Sequence, residues 1–369
     1  MLVSTAYAEG SGGLLGPLAD RLGAGGEGYD LSDSILGPDS AWDFGGWVAV
    51  GGSTNNTGVF NDSGFGLTQG WIYIEKTMNT ENGFDWGFRG DLMVGQDGPN
   101  TQAFGNDFDT YDFADATTWD KGYGLAAPQV YVELGYEDIS VKGGHFYTLV
   151  GYEVVPSPGN FFYSHAFTMN FSEPFTHTGV VATYSGLENV EVYAGWTAGW
   201  DTGFQQNMGG SSFLGGASLA LTDNTSLAYI ATAGNLGWIG DDGYTHSIVV
   251  DTSLTDKLNY VIQSDYVNVQ DSVNALNPGG KYKTVGVNQY MFYTVNESVA
   301  LGARAEWWRA NSVDYYEVTA GVNLQLLPNL KTRPEFRYQF SPDVQNGSPN
   351  QFGIPVDQGI FGIDFIWEF

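Results

Sequence analysis

The chain has 369 residues, 42 acidic against 13 basic side chains (net charge −29), and no cysteine. That charge repels phosphate backbones and argues against nucleic-acid binding, while the missing thiols exclude disulfides, thiolate metal sites and cysteine nucleophiles. Glycine (52), tyrosine (22), phenylalanine (23) and tryptophan (11) are abundant, yet only 42% of residues are hydrophobic, and no run approaches the roughly 18 apolar residues of a spanning helix.

Met1–Ala8 contains Ala6-x-Ala8 before Glu9, the small-residue pattern that ends a secretory leader, so residues 1–8 read as a remnant of a signal peptide or as a chance trio of small residues. Residues 9–41 are rich in Gly, Ser and Asp and read as an extension preceding the folded domain, 42–369. Gly23-Ala-Gly25-Gly-Glu-Gly28 has the spacing of a dinucleotide fingerprint, but no strand precedes it and no amphipathic helix follows, so composition accounts for it.

From Trp42 onward, alternating segments recur between turn signals. In 84–95, Trp86, Phe88, Leu92 and Val94 oppose Asp85, Arg89 and Asp91. In 127–136, Val130, Val132, Leu134 and Tyr136 oppose Gln129 and Glu133. In 298–308, Val299, Leu301 and Trp307 oppose Arg304 and Glu306. In 315–326, Tyr316, Val318, Val322 and Leu324 oppose Glu317 and Asn323. In 329–340, Leu330, Thr332, Pro334, Phe336 and Tyr338 oppose Lys331, Arg333, Glu335 and Arg337. Segments 281–295 and 212–222 choose no parity. A Lys or Arg facing mid-bilayer lipid costs on the order of 2–4 kcal/mol, so this segregation places one face against lipid and the other against a polar lumen.

Short links (137–138, 186–189, 222–224, 255–257, 296–297, 327–329) alternate with long ones near 52–68, 96–126, 149–175, 199–211, 236–242, 269–280 and 341–357, with a shorter one near 309–314. Short turns at one end and long loops at the other are the asymmetry of a transmembrane antiparallel β-barrel, and the count gives sixteen strands. The last strand alternates Phe361, Ile363, Phe365, Trp367 and Phe369 with smaller or acidic residues. Its aromatic terminus resembles the closing-strand signal of Gram-negative outer-membrane barrels, which implies recognition by the barrel-assembly machinery. The extension 9–41 is then periplasmic.

The loop 149–175 is too apolar to wave freely in water, and Pro156 and Pro158 stiffen it. By its place in the count it is the third long loop and resembles in position the third loop of sixteen-stranded general porins, which implies that it folds inward and narrows the lumen. Lys142-Gly-Gly-His-Phe-Tyr-Thr-Leu-Val-Gly-Tyr-Glu153, Asn160-Phe-Phe-Tyr-Ser-His165, Glu173-Pro-Phe-Thr-His-Thr-Gly179 and Val190-Glu-Val-Tyr-Ala-Gly-Trp-Thr-Ala-Gly-Trp-Asp201 resemble the outer-membrane β-barrel porins of the porin-2 type. The resemblance implies a fold and a pore role and brings no catalytic residues. On this reading Arg89, Lys142, Arg304, Lys331, Arg333, Glu335 and Arg337 line the pore, and Glu153, Tyr163, His165, Glu173 and His177 belong to the constriction loop. Arg333 and Arg337 would form half of a transverse field that sets charge selectivity; the alternative is that these charges solvate the lumen and pair structurally.

Asp107, Asp109, Asp112 and Asp115 put four carboxylates in one loop, a weak calcium candidate without the EF-hand spacing; otherwise no cofactor is implied. No G-x-S-x-G, H-E-x-x-H or Walker loop occurs, and His145, on the lipid parity of its strand, reads as interfacial, so no enzyme is expected. The expectation is an outer-membrane channel for small hydrophilic solutes or ions, embedded in lipid and by analogy with general porins a homotrimer. The alternatives are a structural or adhesive barrel with a plugged lumen and a secreted, soluble, acidic β protein.

Overall fold

A computed structural model describes residues 30–37, 40–60, 64–103, 122–205, 209–272 and 280–369. The leader remnant 1–8, the glycine run 23–28 and Asp107, Asp109, Asp112 and Asp115 lie outside the described residues. Of the extension 9–41, the described part forms a short helix, Leu31–Leu36, capped where Asp30 accepts from the Asp33 amide at 2.9 Å, with Ser32 Oγ donating to the carbonyl of Trp42 at 3.3 Å.

Among the described residues, eighteen strand segments make one antiparallel sheet. They are β1 (Trp42–Ser53), β2 (Gly66–Lys76), β3 (Phe84–Gly95), β4 (Gly124–Ala126), β5 (Val130–Tyr136) and β6 (Ile139–Tyr147). Next come β7 (Thr176–Leu187), β8 (Val190–Thr197), β9 (Ser211–Thr222), β10 (Thr225–Asn235), β11 (Gly243–Thr255) and β12 (Leu258–Ser272). The last are β13 (Gly280–Asn296), β14 (Val299–Ala310), β15 (Val313–Leu327), β16 (Leu330–Thr332), β17 (Glu335–Phe340) and β18 (Gln358–Glu368).

Two staves are interrupted, each at a proline, which has no N–H to give the ladder. Pro128 separates β4 from β5, and the register against β3 slips by one residue there: Met93 faces Ala126, whereas Gly90 faces Val130. Pro334 separates β16 from β17 without a slip against β15, since Leu324 faces Thr332 and Gly321 faces Glu335. Eighteen segments less these two interruptions are sixteen staves, the expected number. β1 closes on β18 from Trp47 opposite Glu368 to Ser53 opposite Gly362, and Phe369 exchanges two 2.9 Å backbone hydrogen bonds with Gly46. Closure removes the sheet edge.

Exposure alternates along the staves as two solvents require. Val318 (53% exposed), Phe336 (54%) and Trp367 (46%) point outward, whereas Glu317 (1%), Arg337 (0%) and Asp364 (0%) point inward. The long and short connections fall at opposite ends, except that the 309–314 link tightens to a two-residue turn, Asn311 (φ 46°) and Ser312 (φ 78°), the left-handed pair that matches strand twist.

Candidate functional site

Residues 148–175 leave β6 and return to β7 with a 3-10 turn (Ser157–Gly159) and a short helix (Phe167–Ser172). A helix start leaves amides without partners, and Ala166 has no side chain to cap this one. Glu306 of β14 does so from the wall, accepting from the amides of Phe167 (2.7 Å) and Thr168 (2.6 Å) and from Thr168 Oγ1 (2.6 Å). Glu335 of β17 likewise accepts from the amides of Tyr163 (2.9 Å) and Ser164 (3.1 Å).

The guanidiniums of the inner wall complete the attachment. Arg304 donates from Nε to Glu317 (2.5 Å) and from Nη1 to Glu153 (2.7 Å) and the Ser164 carbonyl (2.7 Å). Arg337 Nη1 donates to the His165 carbonyl at 2.7 Å, its guanidinium lying 4.6 Å from the Phe167 ring centroid. Arg333 Nη1 donates to the carbonyls of Ser157 (2.8 Å) and Asn160 (2.6 Å), and Lys331 Nζ to that of Pro158 (2.9 Å). On the other side of the barrel seam, Gln69 of β2 accepts from the Ser157 amide at 2.9 Å and donates to the Val155 carbonyl at 2.8 Å.

The expected site residues therefore do not form one solvent-lined ring. Arg304, Arg333 and Arg337 face inward, but their side chains are 0%, 2% and 0% exposed; segment 148–175 covers them, so they touch loop backbone and carboxylates where a transverse field would need open water. Arg89 is buried too, paired with Glu75 (2.5 Å) and Asp91 (2.8 Å) beside the ring of Tyr73, away from the loop. Lys142 is half-buried on the inner face of β6 opposite Glu133, its ammonium 4.4 Å from the Tyr131 ring centroid. Asp251 of β11 and Asn259 of β12, near the short-turn end, are also partly exposed on inward positions.

Within the loop, Glu153 accepts from the Ala166 amide (2.9 Å) and Tyr290 Oη (3.1 Å), with His165 Nδ1 3.1 Å away. Burial alone would raise its carboxyl, but the Arg304 guanidinium outweighs that and holds it at about 2. Glu173 has no such partner. Burial, then the neighbouring Asp265, push its carboxyl well above the usual range; Gln263 Nε2 donates to Glu173 (2.5 Å) and to Asp265 (2.6 Å) at once. His177 sits at the loop base, Nε2 3.0 Å from Thr148 Oγ1 and Nδ1 3.2 Å from the Gly199 carbonyl. Tyr163 rests against β18 and β1, where a Cβ on Gly362 or Gly51 would come within 2.9 Å of its ring. His145 has the outward parity but is 1% exposed, its Nδ1 2.8 Å from Thr178 Oγ1, so it is sheltered and not at the lipid surface.

Sequence reasoning had no place for Glu306, Glu317, Asp364, Gln69 or Gln263 in the site, although each stands on the inward parity beside a buried basic or loop partner. Nor did it foresee apolar packing across the interior. Phe161 and Phe162 join Val261, Tyr290, Phe292 and Ala300, while Leu149 and Val150 join Val181, Tyr193, Leu214 and Ile230. Among the described residues no group of three or more His, Cys, Asp or Glu is placed to hold a metal ion.

Residues 42–369 match the profile of the family described as "Putative beta-barrel porin-2, OmpL-like". Among solved structures, a loop L8 deletion variant of OmpT, an outer membrane protein of Vibrio cholerae, is 13% identical with a TM-score of 0.58, covering 89% of this chain and 99% of its own. An anion-selective porin from Comamonas acidovorans is 12% identical with a TM-score of 0.58 over the same shares. The trimer form of in-vitro folded Vibrio cholerae OmpT is 13% identical with a TM-score of 0.56, again over 89% and 99%. At these identities the likeness is one of fold. No curated protein sequence matches the chain significantly.

Proposed function

Because the chain belongs to the porin-2 family, we propose that segment 148–175 is the device by which this outer-membrane porin restricts passive diffusion. The chain is a channel of the Gram-negative outer membrane, and the finer reading concerns what narrows it. One observation carries that reading: the loop is bound to Gln69 of β2 through neutral hydrogen bonds, and to Arg333 and inward-facing side chains of β14, β16 and β17 through charge-assisted ones. Such bonds are about twice as strong as neutral ones, and they hold the loop as a fixed part of the wall. Small hydrophilic solutes or ions then pass on the side where Lys142, Glu133 and Asp251 remain partly exposed. Arg304, Arg333 and Arg337 act as anchors of the constriction, with Glu153, Tyr163, His165, Glu173 and His177 as its fastened points.

Planar-bilayer recordings test this. Wild type should show a small steady conductance, and Arg304→Ala combined with Arg333→Ala a larger, noisier one; equal conductances would refute the anchor role. The second reading, a structural or adhesive barrel with a plugged lumen, draws on the apolar packing of Leu149, Val150, Phe161 and Phe162 across the interior, and it requires no steady conductance at all. Our reading also includes a homotrimer, insertion by the barrel-assembly machinery through the closing strand with Phe361, Phe365, Trp367 and Phe369, and transport with neither cofactor nor catalysis.

A further inference from the structure

Basic side chains are scarce in this chain, and their distribution is uneven. Of the described Lys and Arg residues, six face the barrel interior, and Lys76 and Lys257 sit at the short-turn end. The remaining three, Lys281 and Lys283 of β13 and Arg309 of β14, are all exposed at the long-loop end of two adjacent staves. They point outward, because the intervening Tyr282 (1% exposed), Thr284 (0%) and Trp308 (0%) point in and side chains alternate along a strand. Val285 is opposite Arg309, and Asn268 is opposite Lys283, so the three cations share one patch of the outer wall.

Beside and immediately below them lies a belt of aromatic and imidazole rings. His246 stacks on Tyr266 with centroids 5.7 Å apart, Tyr244 meets His246 at 5.5 Å, and Lys283 Nζ is 5.7 Å from the Tyr266 centroid. Trp307, one stave along, donates from Nε1 to Asp314 at 2.8 Å. Rings of this kind mark the lipid–water interface of a barrel, which places the three cations in the headgroup layer of the outer leaflet. The Arg309–Asp314 pair, at 3.3 Å, leaves the Arg309 side chain 46% exposed, so its guanidinium has donors to spare for a planar, bidentate acceptor such as phosphate.

We propose that Lys281, Lys283 and Arg309 form a binding site for the phosphate-bearing headgroup of the outer-leaflet glycolipid, with Tyr244, Tyr266 and Trp307 against its acyl chains. The inference rests on the outer-membrane reading. A barrel with a net charge of −29 in a leaflet of phosphorylated lipid is otherwise repelled by its surroundings, and a local cationic patch supplies one point of attachment.

The test uses the full chain in neutral detergent, titrated with diphosphoryl lipid A and followed by the rise in its thermal unfolding temperature. The Lys281→Gln, Lys283→Gln, Arg309→Gln variant should bind at least tenfold more weakly, and Lys257→Gln at the opposite end should bind as wild type does. Wild type should bind dephosphorylated lipid A as weakly as the triple variant binds the phosphorylated form. Should the triple variant not fold, Lys283→Gln and Arg309→Gln tested singly should each weaken binding several-fold. Unchanged affinity in the variants, or equal affinity of wild type for the dephosphorylated lipid, would overturn the site. Binding of inorganic phosphate alone, competing at equal affinity, would also overturn it in favour of a free-anion site. A protein that forms channels in bilayers but fails this titration loses only the lipid site; one that stays soluble without detergent loses the barrel reading as well.

Discussion

Arg333 grips Asp364 through two parallel hydrogen bonds, Nε to Oδ1 at 3.0 Å and Nη2 to Oδ2 at 2.6 Å. This fork joins the interrupted stave β16–β17 to the last strand at the point where Pro334 removes a ladder bond. The third nitrogen then carries the loop, through Ser157 and Asn160. One side chain thus ties barrel closure to the position of segment 148–175.

Arg333→Ala should therefore destabilise the barrel by about 3–5 kcal/mol, the usual cost of leaving one partner of a buried ion pair alone. Urea unfolding of the detergent-solubilised protein would measure it. Arg333→Lys should recover little, because an ammonium cannot make the bidentate fork and reach two carbonyls together.

Glu306→Ala should act more locally. Removing the carboxylate strips acceptors from the Phe167 and Thr168 amides, at about 1–3 kcal/mol for buried groups left unpaired. Hydrogen exchange of those amides should rise while β13 and β14 remain protected; protection lost equally throughout the barrel would contradict a local role.

The loop should respond to pH from both sides. Glu153 is held at about 2, below its ordinary value of 4.5, so its contribution is present above that ordinary value and is lost as pH falls towards 2. Glu173 is raised well above 4.5, so its contribution is full below the ordinary value and is lost as pH rises through the elevated one. The groups facing Glu173 are Asp265 and Gln263 from β12, Glu306 from β14 and Glu153 from the loop itself. None is basic, so its ionised form has no counter-charge among them. Protection of the 148–175 amides, taken relative to their intrinsic exchange at each pH, should fall at both ends of a pH series, and Glu173→Gln should remove the alkaline arm only.

Ion preference should track the partly exposed Lys142 and not the buried arginines. Lys142→Gln should move the zero-current potential in a salt gradient towards cations, since Glu133, opposite it, would then be left without that positive charge. A conservative change at the covered Arg337, to Lys, should leave that potential within error of wild type while altering channel noise.

Much of the fold was legible because a strand has a period of two and this wall separates two solvents. Leu134 and Glu133, or Val318 and Glu317, could be sorted to opposite faces from chemistry alone. Segment 281–295 resisted for a physical reason: Tyr290 and Phe292 on its inner face are covered by the loop, while Met291 and Tyr293 on its outer face meet lipid, so both parities are apolar. Alternation alone runs 329–340 through Pro334 as one strand, and it does not single out Asp364 as the partner of Arg333.

By itself the chain determined the closed wall, the side on which the charges of its clearly alternating segments lie and the end at which the long connections gather, because all of these follow from local alternation and turn length. Only the tertiary structure decided that an inward arginine meets the Ser164, His165 or Asn160 carbonyl instead of water. That outcome depends on groups more than a hundred residues away filling the same volume, and no local pattern records which of two inward-facing surfaces will be dry.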